Sequence, residues 1–315
     1  MKDSTVAVYV ITGFLDGGKT TLIRDTFSMD YFNSGERTVL LQCEEGEEEL
    51  DEAVLKKLNC VIVPVENQED LNHDFLKEVD QKYRPERVLI EYNGMWPMDI
   101  IRNLKLPRQW GLFQFIHTAD GSTFEMYLNN MQSMIIDMVT EADMVLVNRC
   151  TADMPLSGWK RSMRAVNRMC EIVFEDERGE ELEVEDILPY SLEGDHIELG
   201  DEDYGIWYID IQDHKERYLG KTITFKAQAM TSMRLPHGTF IPGRNAMTCC
   251  EEDIRFFGFL CKYDNCRSLR RGEWVTVTAE IRWEASKVYE DEGVVLYATS
   301  VEKAERPKDP LAYFR

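Results

Sequence analysis

Short runs of aliphatic and β-branched residues alternate along the first half of the chain with segments whose apolar positions recur every three to four residues. Val6 to Thr12 is an apolar, β-branched run that ends at a glycine, and it predicts a buried strand. A helix is predicted to follow over Thr20 to Phe27. Thr38 to Gln42, Val61 to Val65, Val88 to Glu91, Leu112 to His117 and Met144 to Val147 read as further strands. Helical patterns lie among them at Glu69 to Lys82, Ser122 to Thr140 and Leu156 to Met169. Strands alternating with helices imply an α/β fold, a parallel sheet covered by helices on both faces.

That pattern fades after Cys170. Glu171 to Asp203 is acidic and weakly periodic, which predicts the end of the sheet and a connection. From Tyr204 the apolar positions alternate as they do in strands, at Ile206 to Ile211, Thr222 to Ala229, Phe256 to Leu260, Trp274 to Trp283 and Val294 to Val301. Little helix is expected between them, so a second, smaller all-β domain of OB-like barrel type is predicted. The tail from Arg306 to Arg315 is expected to lie extended on the surface.

Composition narrows the function classes. A length of 315 residues suits about two domains, and 43% hydrophobic residues suffice for a buried core. There are 36 basic residues against 58 acidic ones, for a net charge of −22. Such a field repels a phosphate backbone and argues against nucleic acid as a partner. No apolar run approaches the roughly 18–20 residues that span a bilayer, and the N-terminus carries no signal-peptide pattern. A cytoplasmic location is expected. In that reducing compartment the eight cysteines would be buried, metal-bound or redox-active.

The firmest chemical signal is Gly13-Phe14-Leu15-Asp16-Gly17-Gly18-Lys19-Thr20, a complete G-x-x-x-x-G-K-T between a strand and a helix. Glycines let successive backbone N–H groups turn inward, and the helix N-terminus adds partial positive charge, so the loop suits a phosphate chain. Lys19 is expected at the β- and γ-phosphates and the Thr20 hydroxyl on Mg²⁺. The domains follow as residues 1–190 for the P-loop nucleotide-binding part, 191–203 for an acidic connection and 204–315 for the all-β part.

With its flanks, Gly13 to Leu22 resembles the CobW/UreG-like P-loop GTPases, whose usual form is G-F-L-G-S-G-K-T-T-L. Cys43-Glu44-Glu45-Gly46-Glu47-Glu48-Glu49-Leu50-Asp51 is similar to that family's N-E-F-G-E-x-G-x-D. Glu91-Tyr92-Asn93-Gly94, Ala119-Asp120 and Glu141-Ala142-Asp143 fall in order on its later segments. The resemblance implies GTP, with ATP as the alternative, held by Gly13, Asp16, Gly17, Gly18, Lys19, Thr20, Thr21, Asn148 and Arg149. It also implies Mg²⁺ near Thr20 and Glu91, and hydrolysis assisted by Lys19, Glu44 and Asp51. The role expected of such a protein is metal trafficking or insertion, with a metal-acceptor protein as partner. A regulatory module of a membrane permease with little turnover is the other reading.

Two departures bear on this. The family reads guanine with N-K-x-D, whereas the chain has Asn148-Arg149-Cys150-Thr151, with Asp153 two residues further on. Thr151 offers no bidentate carboxylate. The usual C-x-C-C metal motif is reduced to the single Cys60, and one thiolate makes no tight tetrahedral site.

In the second domain, Arg244 to Cys250 resembles the M-T-C-C segment of an uncharacterised bacterial domain found in proteins paired with membrane permeases. Cys249, Cys250, Cys261 and Cys266 fall within eighteen positions. They are candidates for Zn²⁺ or another thiophilic ion, with His237 as a further ligand. Burial as small residues, or a redox pair, would account for the same cysteines. His73, His117, His196 and His214 are expected to be structural or surface groups.

Overall fold

The computed structural model describes residues 6–29, 32, 35–44, 55, 59–184, 188–247, 254–286, 288–289 and 292–314. The chain divides into two compact units: Met1–Leu156 with Val166–Val184, and Ser157–Ala165 with Glu185–Arg315.

The first unit is built on seven parallel strands: β1 (Val6–Thr12), β2 (Thr38–Gln42), β3 (Cys60–Pro64), β4 (Arg87–Glu91), β5 (Trp110–Asp120), β6 (Met144–Asn148) and β7 (Glu171–Phe174). Their spatial order is β3-β2-β4-β1-β5-β6-β7. From β1 the chain runs out through β2 to the edge strand β3, returns with β4 to the place between β2 and β1, and then builds the other way through β5 to β7, so the strand order reverses at β1. An open α/β sheet takes its ligand in the crevice at such a reversal, beyond the carboxyl ends of the strands. β4 is buried at all five positions, as a strand covered on both faces must be. Helix α1 (Lys19–Ser28) follows β1 and sets Ile23 against Ile11, Leu40 and Leu89.

Two expectations change here. Glu69 to Lys82 divides into a short 3₁₀ turn at Gln68–Asp70 and helix α2 (His73–Tyr83), with Asn72 between them as N-cap, accepting from the N–H groups of Asp74 and Phe75. The 3.6-residue periodicity does not register that cap. Ser122 to Thr140 is likewise two helices, α3 (Gly121–Asn130) and α4 (Gln132–Glu141), separated at Met131, whose φ of −134° is not helical. Asn130 turns its side-chain amide back to the Met126 carbonyl, the local hydrogen bonding that makes asparagine a poor helix interior residue.

The second unit holds β8 (His196–Glu198), β9 (Thr222–Met230), β10 (Thr239–Met247), β11 (Ile254–Gly258), β12 (Leu260–Lys262), β13 (Trp274–Ala285), β14 (Glu292–Lys303) and β15 (Leu311–Ala312). Five of these close a barrel in the order β9-β10-β12-β14-β13 and back to β9. Counted along the chain, the barrel strands run first, second, third, fifth, fourth, with the third and fifth parallel. That is the OB arrangement the alternating pattern suggested. The stretch read as one strand, Phe256 to Leu260, is the end of β11 and the start of β12, broken at Phe259.

Ile206 to Ile211 is not a strand. It lies in helix α5 (Tyr204–Asp213), of which Tyr204, Gly205, Ile206, Trp207, Ile209, Asp210 and Ile211 are buried. A helix apolar on every side carries no amphipathic signature, and over six residues its apolar run looks like a strand. Trp207 packs between Tyr204, Phe225 and Phe259.

Candidate functional site

The loop from Gly13 to Gly18 crosses the end of β1 at the strand-order reversal. Its shape depends on positions without side chains. A Cβ at Gly13 would strike the Thr118 carbonyl oxygen, and one at Gly18, where φ is 95°, would strike the Asn148 amide. Asp16 also has a positive φ, 59°. Lys19 is folded over the loop and almost fully buried. Its ammonium donates to the carbonyls of Gly13 (2.8 Å) and Phe14 (3.0 Å) and pairs with Glu44 at 2.5 Å.

The carboxyl end of β4 places Glu91 beside this loop. The Thr20 hydroxyl donates to Glu91 at 2.6 Å, and the Gln42 amide, from the end of β2, donates to its other oxygen at 3.3 Å. Burial holds Glu91 above the ordinary carboxylate range, against the opposing pull of Thr20 and Lys19. Thr20 and Glu91 are hard oxygen donors set side by side, the kind of pair Mg²⁺ takes. Cys43 lies next to them, and burial, with Glu91 nearby, pushes its thiol up to about 12. Sequence reasoning did not single out Gln42, because a polar residue ending a strand carries no motif.

Asn148 and Arg149 reach the loop from the end of β6. The Asn148 amide donates to the Gly17 carbonyl at 2.9 Å. Arg149, in the left-handed region at φ 52°, donates to the Asp16 carbonyl at 2.5 Å and to Asp120 at 2.9 Å. Burial raises the Asp120 carboxyl, but the hydrogen bonds from Ser122 and Arg149 outweigh it and hold the group below its usual range. Asp120 also caps α3 by accepting from the Ser122 N–H at 2.8 Å. Leu15, Asp16, Lys19, Thr20, Thr21, Glu44, Glu91, Asp120 and Arg149 line a single cavity of about 280 Å³.

A second cavity of about 130 Å³ lies beside it under Phe14, whose ring stacks on Tyr127. His117 lines this cavity, fully buried, and among the described residues neither ring nitrogen makes a well-formed hydrogen bond. Burial, and then the charge of Lys19, push its pKa down to about 4, so the ring is neutral. No motif places this histidine next to the P-loop lysine, whose charge it feels only in the folded sheet.

Asp51, Cys249 and Cys250 lie outside the described residues. Cys60 is buried in the core of the first unit, its thiol pushed up to about 11 by burial. Cys261 is buried in the barrel core, where desolvation pushes its thiol up to about 12, and Cys266 packs at the edge of that core. The His237 imidazole meets Arg267 at 2.5 Å. Among the described residues no group of three or more histidine, cysteine and acidic side chains is placed to hold a metal ion. Nor is any described helix long and apolar enough to cross a membrane.

A G-x-x-x-x-G-K-T loop at the switch point of a parallel sheet, braced by Asn148 and Arg149 on one side and by Glu91 on the other, defines a P-loop nucleotide-binding protein. The chain belongs to the CobW/HypB/UreG nucleotide-binding domain family, whose model matches residues 7–173; residues 174–314 match the DUF1980 C-terminal domain. Similar solved structures include the hydrogenase maturation factor HypB from Archaeoglobus fulgidus, at 14% identity over 57% of this chain and 85% of that one, with a TM-score of 0.41. The Zn(II)-bound YjiA GTPase from E. coli is 21% identical over 53% of this chain and 56% of that one, also at 0.41. The MinD cell division protein from Aquifex aeolicus is 15% identical over 54% and 82%, at 0.34. No curated protein matches the chain.

Proposed function

We propose that this protein is a Mg²⁺-dependent GTPase that serves the trafficking or insertion of a transition metal, zinc or another, in the cytoplasm. The observation that supports the nucleotide part is the bracing of the P-loop by Asn148 and Arg149, which stand where the N-K-x-D pattern has its asparagine and lysine. The metal role rests on family membership.

In this reading the backbone N–H groups of Gly13 to Gly18 and the ammonium of Lys19 receive the β- and γ-phosphates. Lys19 exchanges Glu44 for the incoming phosphate oxygens, which releases a carboxylate next to the γ-phosphate. Glu44, with Asp51, then orients the water that attacks the γ-phosphorus in line with the breaking bond to the β-phosphate oxygen. Thr20 and Glu91 would hold Mg²⁺, which supplies charge neutralisation on the phosphate oxygens. GDP and inorganic phosphate are the products.

Single-turnover hydrolysis tests this. GTP is expected to be cleaved in the presence of Mg²⁺, with turnover abolished in Lys19→Ala and altered by adding Zn²⁺. Tight GTP binding with no cleavage under any metal condition would instead favour a regulatory module acting on a membrane permease.

A further inference from the structure

The second unit carries a cavity of its own, of about 540 Å³, larger than the one at the P-loop. Its walls come from the β9–β10 connection, from β12 and the turn after it, from the end of β13 and from β14. In a barrel of this strand order that is the side on which ligands are taken, between the connection of the first two strands and that of the last two. The volume lies in the range of small-molecule sites.

Three side chains on three adjacent strands form the polar wall. Lys262 of β12 and Tyr297 of β14 are cross-strand partners, and Glu284 stands near the end of β13. The Lys262 ammonium donates to Glu284 at 2.8 Å and to the Tyr297 hydroxyl, which donates to the other oxygen of Glu284 at 2.6 Å. That hydrogen bonding raises the lysine above its ordinary range and holds the carboxyl below its own, so both stay charged. Arg282 and Lys262 lie against the Tyr297 ring, at 4.0 and 4.4 Å from its centre, and hold it in place. Among the described residues this leaves one ammonium proton and lone pairs on both carboxylate oxygens.

The rest of the lining mixes donors with acceptors. Arg267 donates to Nε2 of His237, and an imidazole that accepts there carries a proton to give on Nδ1. Thr239 spends its hydroxyl proton on the Pro236 carbonyl at 2.6 Å and presents lone pairs. Ser286 accepts from the Val288 N–H at 3.3 Å and keeps a proton to give. Asp264 adds a second carboxylate, and the surface between these groups is aliphatic, from Pro236, Leu260, Ala285, Val295 and Ala298.

We propose that this cavity is a binding site for a neutral, polyhydroxylated ligand, a short saccharide; it lies wholly in the second unit and does not depend on the nucleotide reading. An anion, a phosphate backbone included, would meet Glu284 and Asp264 in a chain of net charge −22. A cation would meet Lys262. Hydroxyl groups need neither charge. One can accept the remaining ammonium proton while its neighbour donates to a carboxylate lone pair, and the ion pair stays whole. The aliphatic surface between them suits the C–H faces of a sugar ring.

The experiment is calorimetric titration of the full chain with maltose, cellobiose and chitobiose, beside inorganic phosphate, glycylglycine and octathymidylate. At least one disaccharide is expected to bind wild type, and the other three probes are not. Lys262→Met and Glu284→Gln should each weaken that disaccharide about tenfold or more, the worth of a charged hydrogen bond. Ala285→Leu, which fills the cavity with aliphatic bulk and leaves the polar wall intact, should weaken it as well. Circular-dichroism melts of the three variants separate a lost site from a lost barrel, and the exposed Ala285 keeps the test open if a change in the ion pair unfolds it.

Wild type that binds none of the three disaccharides overturns the proposal. So does disaccharide binding that all three folded variants retain in full. Binding of phosphate, glycylglycine or octathymidylate that Lys262→Met abolishes, with no saccharide bound, would give the cavity to a charged ligand and overturn it too. GTP titrated into the same preparations reports on the nucleotide unit separately, so the failure of either reading leaves the other standing.

Discussion

Lys19 and Glu44 meet as an ion pair where the phosphate chain is proposed to lie, so the protein holds a carboxylate of its own against the P-loop lysine. A nucleotide must compete with that carboxylate. Glu44→Gln removes the competing charge and is expected to bind GTP several-fold more tightly while cleaving it more slowly. Equilibrium titration and single-turnover kinetics on the same variant read the two effects separately; tighter binding with undiminished cleavage would remove Glu44 from the chemistry. His117 provides a second residue-level test. Its pKa, near 4 when folded against about 6.5 when unfolded, means that the unfolded chain takes up a proton the native state refuses. Stability from this group is complete above the unfolded value and is lost as pH falls from about 6.5 to about 4, by roughly 3 kcal/mol. Denaturant melts at pH 7 and pH 4.5 should show this loss in wild type and less of it in His117→Leu.

At the scale of elements, the packing of α5 sets a sharp constraint at Gly205. A Cβ there would run into the backbone carbonyl of Tyr313, so Gly205→Ala should destabilise the second unit although alanine favours helix. Trp207→Ala, which empties the centre of the same core, should cost about 3–5 kcal/mol. Chemical denaturation followed by tryptophan-independent circular dichroism measures both. This helix also marks where the sequence stopped being legible. The strands of the first unit and the P-loop were readable because their residue types are dictated locally, by burial on both faces and by a loop that must be free of side chains. Helix α5 was not, because its apolar residues face a core on every side and leave no period to read. The barrel's closure was suggested by alternation alone, but β10 went unnoticed: its Pro242 and Gly243 interrupt the pattern, and only pairing with β9, β11, β12 and β15 makes it a strand. In the site, Lys19, Thr20, Asn148 and Arg149 were legible from the motif. The link from Arg149 to Asp120 was not, since it joins the end of β5 to the residue just after β6, strands adjacent only in the folded sheet.

For the whole molecule, the net charge of −22 sets the long-range field in which a highly charged anion must approach. The phosphate site is locally favourable, but the approach to it is not. Raising salt shortens the Debye length from about 30 Å at 0.01 M to about 8 Å at physiological ionic strength. The association rate for GTP is therefore expected to rise with salt over that range, the reverse of a protein that steers its ligand inward. Stopped-flow binding at several salt concentrations checks it, and an association rate that falls with salt would show that the local field of the P-loop dominates.

Gly94 sits directly behind the P-loop, where any Cβ would collide with the Gly13 carbonyl and crowd the Phe14 N–H. It is absent from the residues that line the phosphate cavity. Gly94→Ala should therefore push the loop out of shape, and with it the Gly13 and Phe14 carbonyls that hold Lys19, without altering the identity of any phosphate-facing side chain. That makes the position a genetic handle: a strain carrying the alanine would have the barrel unit intact and the nucleotide unit silenced. Whatever the cell still does in that strain is the work of the barrel by itself.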